Sequence, residues 1–180
     1  MRTQRLIAYV FTACVVSLLA GSAMADDESG HFNAFLKGTY QWSANLSCSS
    51  GPDPGSIGLD PTSFITFAGV ITYDGHGRAK ETDHGVNIGT GSPDRFEEAC
   101  EYTIEVARDG SFSQTGFCTD ANKTFLLSGI KWNGQIGVGG SVLTTNMVGM
   151  DVHTFAVPPG NIISYSICGG VGTAVRIGPH

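Results

Sequence analysis

The chain has 180 residues, with 25 glycines, 41% hydrophobic residues and only 14% charged ones. So little charge with so much Gly argues against coiled coils and helix bundles, which need charged, strong helix formers. The apolar fraction is also too high for disorder. The formal net charge of −6 removes the electrostatic case for binding nucleic acid or an anionic membrane.

Residues 1–25 carry Arg2 and Arg5, an apolar run from Leu6 to Ala20, and the small-residue pattern Ala23-Met24-Ala25 ahead of Asp26-Asp27. This is the pattern of a secretory signal peptide cleaved after Ala25. The apolar run is shorter than the ~20 residues a membrane span requires, and no other segment reaches that length, so no membrane association is expected after cleavage. Loss of two Arg takes the formal charge from −6 to −8. The expected mature protein is a single domain over 26–180, periplasmic or secreted. Its oligomeric state is left open by the sequence.

Residues 26–35 are polar and read as a loose arm. Period-two alternation then begins, with Leu36, Tyr40 and Trp42 on one face and Lys37, Thr39 and Gln41 on the other, the mark of a half-buried strand. A Gly/Pro-rich loop spans 51–61. Residues 64–73 are apolar and β-branched and end at Asp74-Gly75, a tight-turn signal of the type I′ kind. The polar run 78–88 reads as an exposed return strand, and 89–96 as a second loop. Asp94, Glu97 and Glu98 are thereby expected in or beside a loop, with a spacing that matches no EF-type Ca²⁺ site. The runs 101–107 and 111–119 form a hairpin around Arg108-Asp109-Gly110. Residues 124–131 are expected to turn at Asn133-Gly134 into 135–145, and further strands follow over 147–157 and from 161 on. Eight or nine strands joined by short turns, with no helical periodicity, predict an all-β fold. A closed antiparallel up-and-down barrel of about eight strands removes the open edges; a β-sandwich is the alternative.

Four cysteines follow the leader: Cys48, Cys100, Cys118 and Cys168. In a secreted chain an even number implies two bridges. With Gly110 in the left-handed position of a three-residue loop, 107 opposes 111 and Cys100 opposes Cys118, close enough to bridge. Cys48 and Cys168 remain, on the first and last strands, and their bridge would staple the seam of a closed barrel. No CxxC or HxxxH spacing supports a metal site, and no cofactor motif is present.

The same register puts Tyr102 and Phe112 on an inward face with Gln114, whose buried amide needs partners. Tyr40, Trp42, Phe67 and Tyr73 share the inward parity. Such aromatics either fill a small barrel or line a cavity for one ligand. Tyr40, Trp42, Tyr102, Phe112 and Gln114 are the candidate ligand pocket. No serine-nucleophile motif or phosphate-binding loop occurs, so no catalytic residue is named. Asp151-Val152-His153 places a carboxylate and an imidazole on one face of a strand, read as a solvated polar face rather than an acid/base pair.

Gly38-Thr39-Tyr40-Gln41-Trp42, followed by 64–77 ending Ile71-Thr72-Tyr73-Asp74-Gly75-His76-Gly77, resembles the opening of small secreted bacterial barrels of the calycin and allene-oxide-cyclase-like type. The resemblance covers 38–77, and Tyr40 stands where lipocalins put Trp. It implies an eight-stranded barrel with an apolar cavity; some members bind apolar ligands and some cyclise or isomerise them. The reading that follows is a non-enzymatic barrel that binds a small apolar ligand in its interior. A cofactor-free isomerase or cyclase, and a filled barrel with a structural or interaction role, are the alternatives.

Overall fold

The alternation read from the first strand persists along its whole length. The computed structural model of the chain describes residues 29–89, 93–147, 151–157 and 160–178; the expected leader, 1–25, lies outside them. In β1 (Lys37–Gly51), Tyr40, Trp42, Ala44, Leu46 and Cys48 are buried while Gln41, Ser43 and Asn45 face solvent. A strand with one apolar face must bury it against a partner sheet or a sheet curled on itself, and here the sheet closes. β1 pairs antiparallel with both β2 (Ser63–Asp74) and β9 (Asn161–Arg176). Between them β3 (Arg78–Ile88), β4 (Asp94–Val106), β5 (Ser111–Thr119) and β6 (Leu126–Ile136) each pair with the next. The place between β6 and β9 is shared by two short strands, β7 (Val142–Met147) and β8 (Val152–Val157), each bonded to both neighbours. The result is the expected all-β, closed antiparallel barrel, with nine strands in eight positions.

The two ends differ. At the base, where β1 begins, residues 29–35 of the expected loose arm are ordered instead. Helix α1 (Ser29–Phe32) runs into a 3₁₀ turn (Asn33–Phe35), and the buried Asn33 accepts a hydrogen bond through Oδ1 from the Val106 N–H at 3.0 Å. Leu36 is buried beneath it. Tyr40 Oη donates to the Gly140 carbonyl at 2.7 Å and accepts from Arg176 Nη2 at 2.8 Å, tying first strand, last strand and the β6–β7 turn together. Tyr40 and Tyr73 meet edge to face at 5.5 Å, among buried Ile71, Ile104, Val106, Phe112 and Leu143. This half of the barrel is filled.

Both disulfides form as expected. Cys48 and Cys168 are directly opposite across the β1–β9 seam, with Cα atoms 4.1 Å apart, and Cys100 and Cys118 are opposite across β4–β5 at 4.0 Å. Gly110 has φ +80 and Ala107 bonds Ser111, the hairpin register deduced above.

Three local expectations are corrected. No turn forms at Asn133-Gly134: β6 runs through both residues and the chain reverses at Val138–Gly140, where Gly139 and Gly140 have φ of +70 and +64. Gly134 serves close packing instead, since a Cβ there would lie 2.4 Å from the Phe112 ring. The β2–β3 turn is wider than type I′: Gly75 and Gly77 have positive φ on either side of His76. The Asp74 carboxylate accepts N–H bonds from His76 (2.6 Å) and Arg78 (3.0 Å) across it. Finally, β4 starts at Asp94, so Glu97 and Glu98 belong to a strand and not a loop.

Candidate functional site

Directly opposite residues of an antiparallel pair share a face. Tyr73 lies opposite Ala79, Ile71 opposite Glu81, and Gly69 opposite Asp83. Because Ile71 and Tyr73 point inward, Glu81 and Asp83 must too. On the other side of β3, Glu81 faces Cys100 and Asp83 faces Glu98. The run read as an exposed return strand therefore carries its acids into the barrel: Glu81 is 3% and Asp83 5% exposed. With Glu98 they place three carboxyl groups side by side on two adjacent strands.

Glu81 and Glu98 border a cavity of about 420 Å³ in the mouth half of the barrel. Its walls are mainly apolar, with Leu46, Ile65, Phe67, Leu127, Trp132 and Phe155 prominent. The strand direction sets Glu81 and Tyr102 at depth, and Asn87 and Asp94, paired across β3–β4, toward the mouth. Glu98 and His153 also line the space, and Cys48, Cys118 and Cys168 bring both disulfides to its wall.

Burial governs the electrostatics. It pushes the Glu98 carboxyl up to about 8, with the neighbouring Asp83 charge adding to the effect. It holds Glu81 well above the ordinary carboxyl range, helped by Asp83, and raises Asp83 as well. The closeness of Asp83 adds to the rise of Glu81, while Glu81 pulls Asp83 back toward the ordinary carboxyl range. The Tyr102 phenol, fully buried, is raised well above 10.0, again chiefly by burial. Burial lowers the His153 imidazole below 6.5, against the opposing pull of Asp151. Near neutral pH burial thus favours the protonated forms of Glu81 and Glu98 and the uncharged form of His153.

Several polar groups here have no partner. Neither Glu81 oxygen, neither Asp83 oxygen, Asn87 Oδ1 nor His153 Nε2 is hydrogen-bonded among the described residues. Tyr102 faces Glu81, but its nearest bond is a weak one donated to Cys118 Sγ at 3.8 Å. His153 is 2% exposed, so Asp151-Val152-His153 is not the solvated face the sequence suggested.

The expected pocket residues are all buried, and they divide between the two halves. Tyr102 lines the cavity. Trp42 stands behind it, edge-on to Phe67 at 4.8 Å and to Trp132 at 5.7 Å. Tyr40, Phe112 and Gln114 belong to the filled half. The Gln114 amide is satisfied by a neighbour, its Oε1 accepting from Tyr73 Oη at 3.0 Å. Sequence reasoning missed Glu81 and Asp83 as inward-facing residues, and it missed Glu98, Trp132 and His153 as wall residues beside Glu81. A signal for the first two was present: with Tyr73 inward and a short loop after Asp74, counting back along the hairpin puts Glu81 on the Ile71 face. Trp132 was obscured by the turn expected one residue later. The two disulfides fit an oxidising compartment. Neither a scan against protein-family models nor a search of curated proteins finds a match to this chain.

Proposed function

We propose that this is an exported small-molecule-binding barrel that holds a largely apolar ligand in its mouth half, in the periplasm or outside the cell. One observation carries the reading: a cavity of about 420 Å³ with mainly apolar walls remains above a fully packed base. That exceeds the ~300 Å³ at which ligand pockets begin, whereas a filled structural barrel would continue its packing to the mouth. The two disulfides brace the walls of this space, which limits the loss of chain freedom on binding. The resemblance to calycin-type barrels points the same way. Native mass spectrometry of the protein purified from its own source is the test. A retained mass that leaves on denaturation supports binding. A bare protein whose tryptophan emission is also indifferent to a panel of fatty acids, terpenoids and aromatics overturns it.

A second reading, a cofactor-free isomerase, is favoured by one feature. Glu98, with its carboxyl raised to about 8, and His153, its imidazole lowered by burial, line the same cavity. Groups poised near neutrality in this way suit general acid and base roles. Conversion of a bound ligand that disappears in Glu98→Gln and His153→Asn would establish it; a ligand recovered unchanged from both wild type and variants would exclude it.

A further inference from the structure

We propose that the ligand is an organic cation, an amine on an apolar body, whose ammonium group sits against Glu81, Glu98 and Asn87 on the cavity wall. The inference rests on the binding reading above and specifies the head group that reading leaves open.

A purely apolar ligand gives no use to buried acids, and an unpaired buried carboxyl is unfavourable unless something compensates it. Glu81 is 3% exposed and neither of its oxygens has a partner. Among the described residues no Lys or Arg lines the cavity, so a positive partner has to come from outside the chain. The groups that face the acids are Asp83 on β3, opposite Glu98, Tyr73 on β2, Tyr102 on β4 and His153 on β8, with Asp94 toward the mouth. None is a cation at neutral pH.

The unpartnered atoms also fit by type. Glu81 and Asn87 present oxygen acceptors to the cavity. An ammonium has three donors and no acceptor, so it matches such a set, whereas an alcohol or carboxylate would bring acceptors of its own. His153 supplies an independent observation. It is 2% exposed, lines the cavity, and its Nε2 is unpartnered. Held neutral by burial, it does not repel a cation. The aromatic rings of Phe67, Phe96 and Trp132 on the same wall offer faces to a desolvated ammonium. A divalent metal fits less well. Among the described residues the candidate groupings are Glu81 and Asp83 with the Cys100 sulfur, and Glu98 with the Cys100 and Cys118 sulfurs, but those sulfurs are committed to one disulfide. Two carboxylates fall short of the six or more oxygens Ca²⁺ takes.

Binding would be linked to protons. Burial favours the protonated forms of Glu81 and Glu98, and an ammonium brought against them favours the ionised form, so a proton leaves as the ligand enters.

The experiment is isothermal titration of the disulfide-bonded protein with three probes that share one apolar body: 4-phenylbutylamine, 4-phenylbutanol and 4-phenylbutyrate. The amine is expected to bind about tenfold or more tighter than the alcohol, as a charge-assisted bond implies, with the carboxylate weakest. Titrations at pH 7 in buffers of different ionisation enthalpy should show release of about one proton with the amine alone. Glu81→Gln combined with Glu98→Gln should bring the amine to the level at which that variant binds the alcohol. Thr82→Glu, an acid added on the outer face of the same strand, should keep the preference. Equal affinity for amine and alcohol, or amine binding without proton release, overturns the cation proposal and leaves the binding reading standing. A Ca²⁺ titration whose heat vanishes in the double variant, with no amine preference, overturns it in favour of a metal. Failure of all three probes to bind overturns the cation proposal, and the binding reading then stands or falls on the native mass measurement.

Discussion

The buried acids should make this protein lose stability as pH rises through neutrality, and the effect can be worked from Glu98 alone. Its carboxyl titrates at 4.5 when free and at about 8 in the folded barrel. Between those values the folded state holds a proton that the unfolded chain has released, so stability falls with rising pH. The contribution is fully present below about pH 4.5 and gone above about pH 8. The slope is about 1.4 kcal/mol per pH unit for one group, which gives about 4 kcal/mol between pH 5 and 8. Glu81 and Asp83 are raised by the same cause and act in the same direction. His153 opposes them at the acid end: its folded value is depressed, so stability is lost as pH falls below 6.5. Asp109 and Asp120, lowered chiefly by hydrogen bonds from the Ser111 and Thr124 hydroxyls, and Asp74, lowered by turn N–H bonds, lose their contribution only as pH falls below 3.8. The optimum should therefore be mildly acidic. Thermal unfolding of the oxidised protein followed by circular dichroism should show Tm falling by roughly 10 °C from pH 5.5 to 8.5, at about 2–4 °C per kcal/mol for a chain of this size. Glu98→Gln should flatten the curve and exceed the wild type at pH 8.5. A Tm that is level or rising over that interval, with the same profile in Glu98→Gln, would refute the reasoning.

The two disulfides should differ in weight. Their sequence separations are 120 and 18 residues, so chain entropy makes loss of Cys48–Cys168 about 1.7 kcal/mol more destabilising than loss of Cys100–Cys118. Urea denaturation of the two double-Ser variants reads this directly, and equal losses would contradict it. Gly134→Ala should destabilise by roughly 1–3 kcal/mol through its clash with the Phe112 ring, measured as a lower denaturation midpoint; an unchanged midpoint would return Gly134 to the role of a dispensable turn residue. Trp132 lines the cavity and Trp42 does not, so the fluorescence response to a bound ligand should be lost in Trp132→Phe and retained in Trp42→Phe. The opposite pattern would contradict a ligand seated against Trp132.

Local chemistry made some features legible in the sequence and hid others. The 100–118 hairpin could be counted residue by residue because Gly110 marks its centre, and the count placed a disulfide. The seam bridge then followed by elimination, and closure of the barrel is what brings Cys48 opposite Cys168. Gly134 misled because glycine has two uses, a left-handed turn and a close approach; only the Phe112 ring, twenty-two residues away in sequence, shows which applies. The acids were hidden for a related reason. Along 78–88 both faces of the strand are polar, with Lys80, Thr82 and His84 alternating with Glu81 and Asp83, so periodicity carries no sign of which face is buried. That sign comes from the partner strand: Ile71 and Tyr73 are unambiguously apolar, and pairing transfers their orientation to Glu81. A strand whose inward face is polar conflicts with local preference, and such conflicts are expected where function is placed. In this barrel the apolar faces of β1 and β2 specify a closed core, while β3 is carried into it by pairing alone and brings the acids with it.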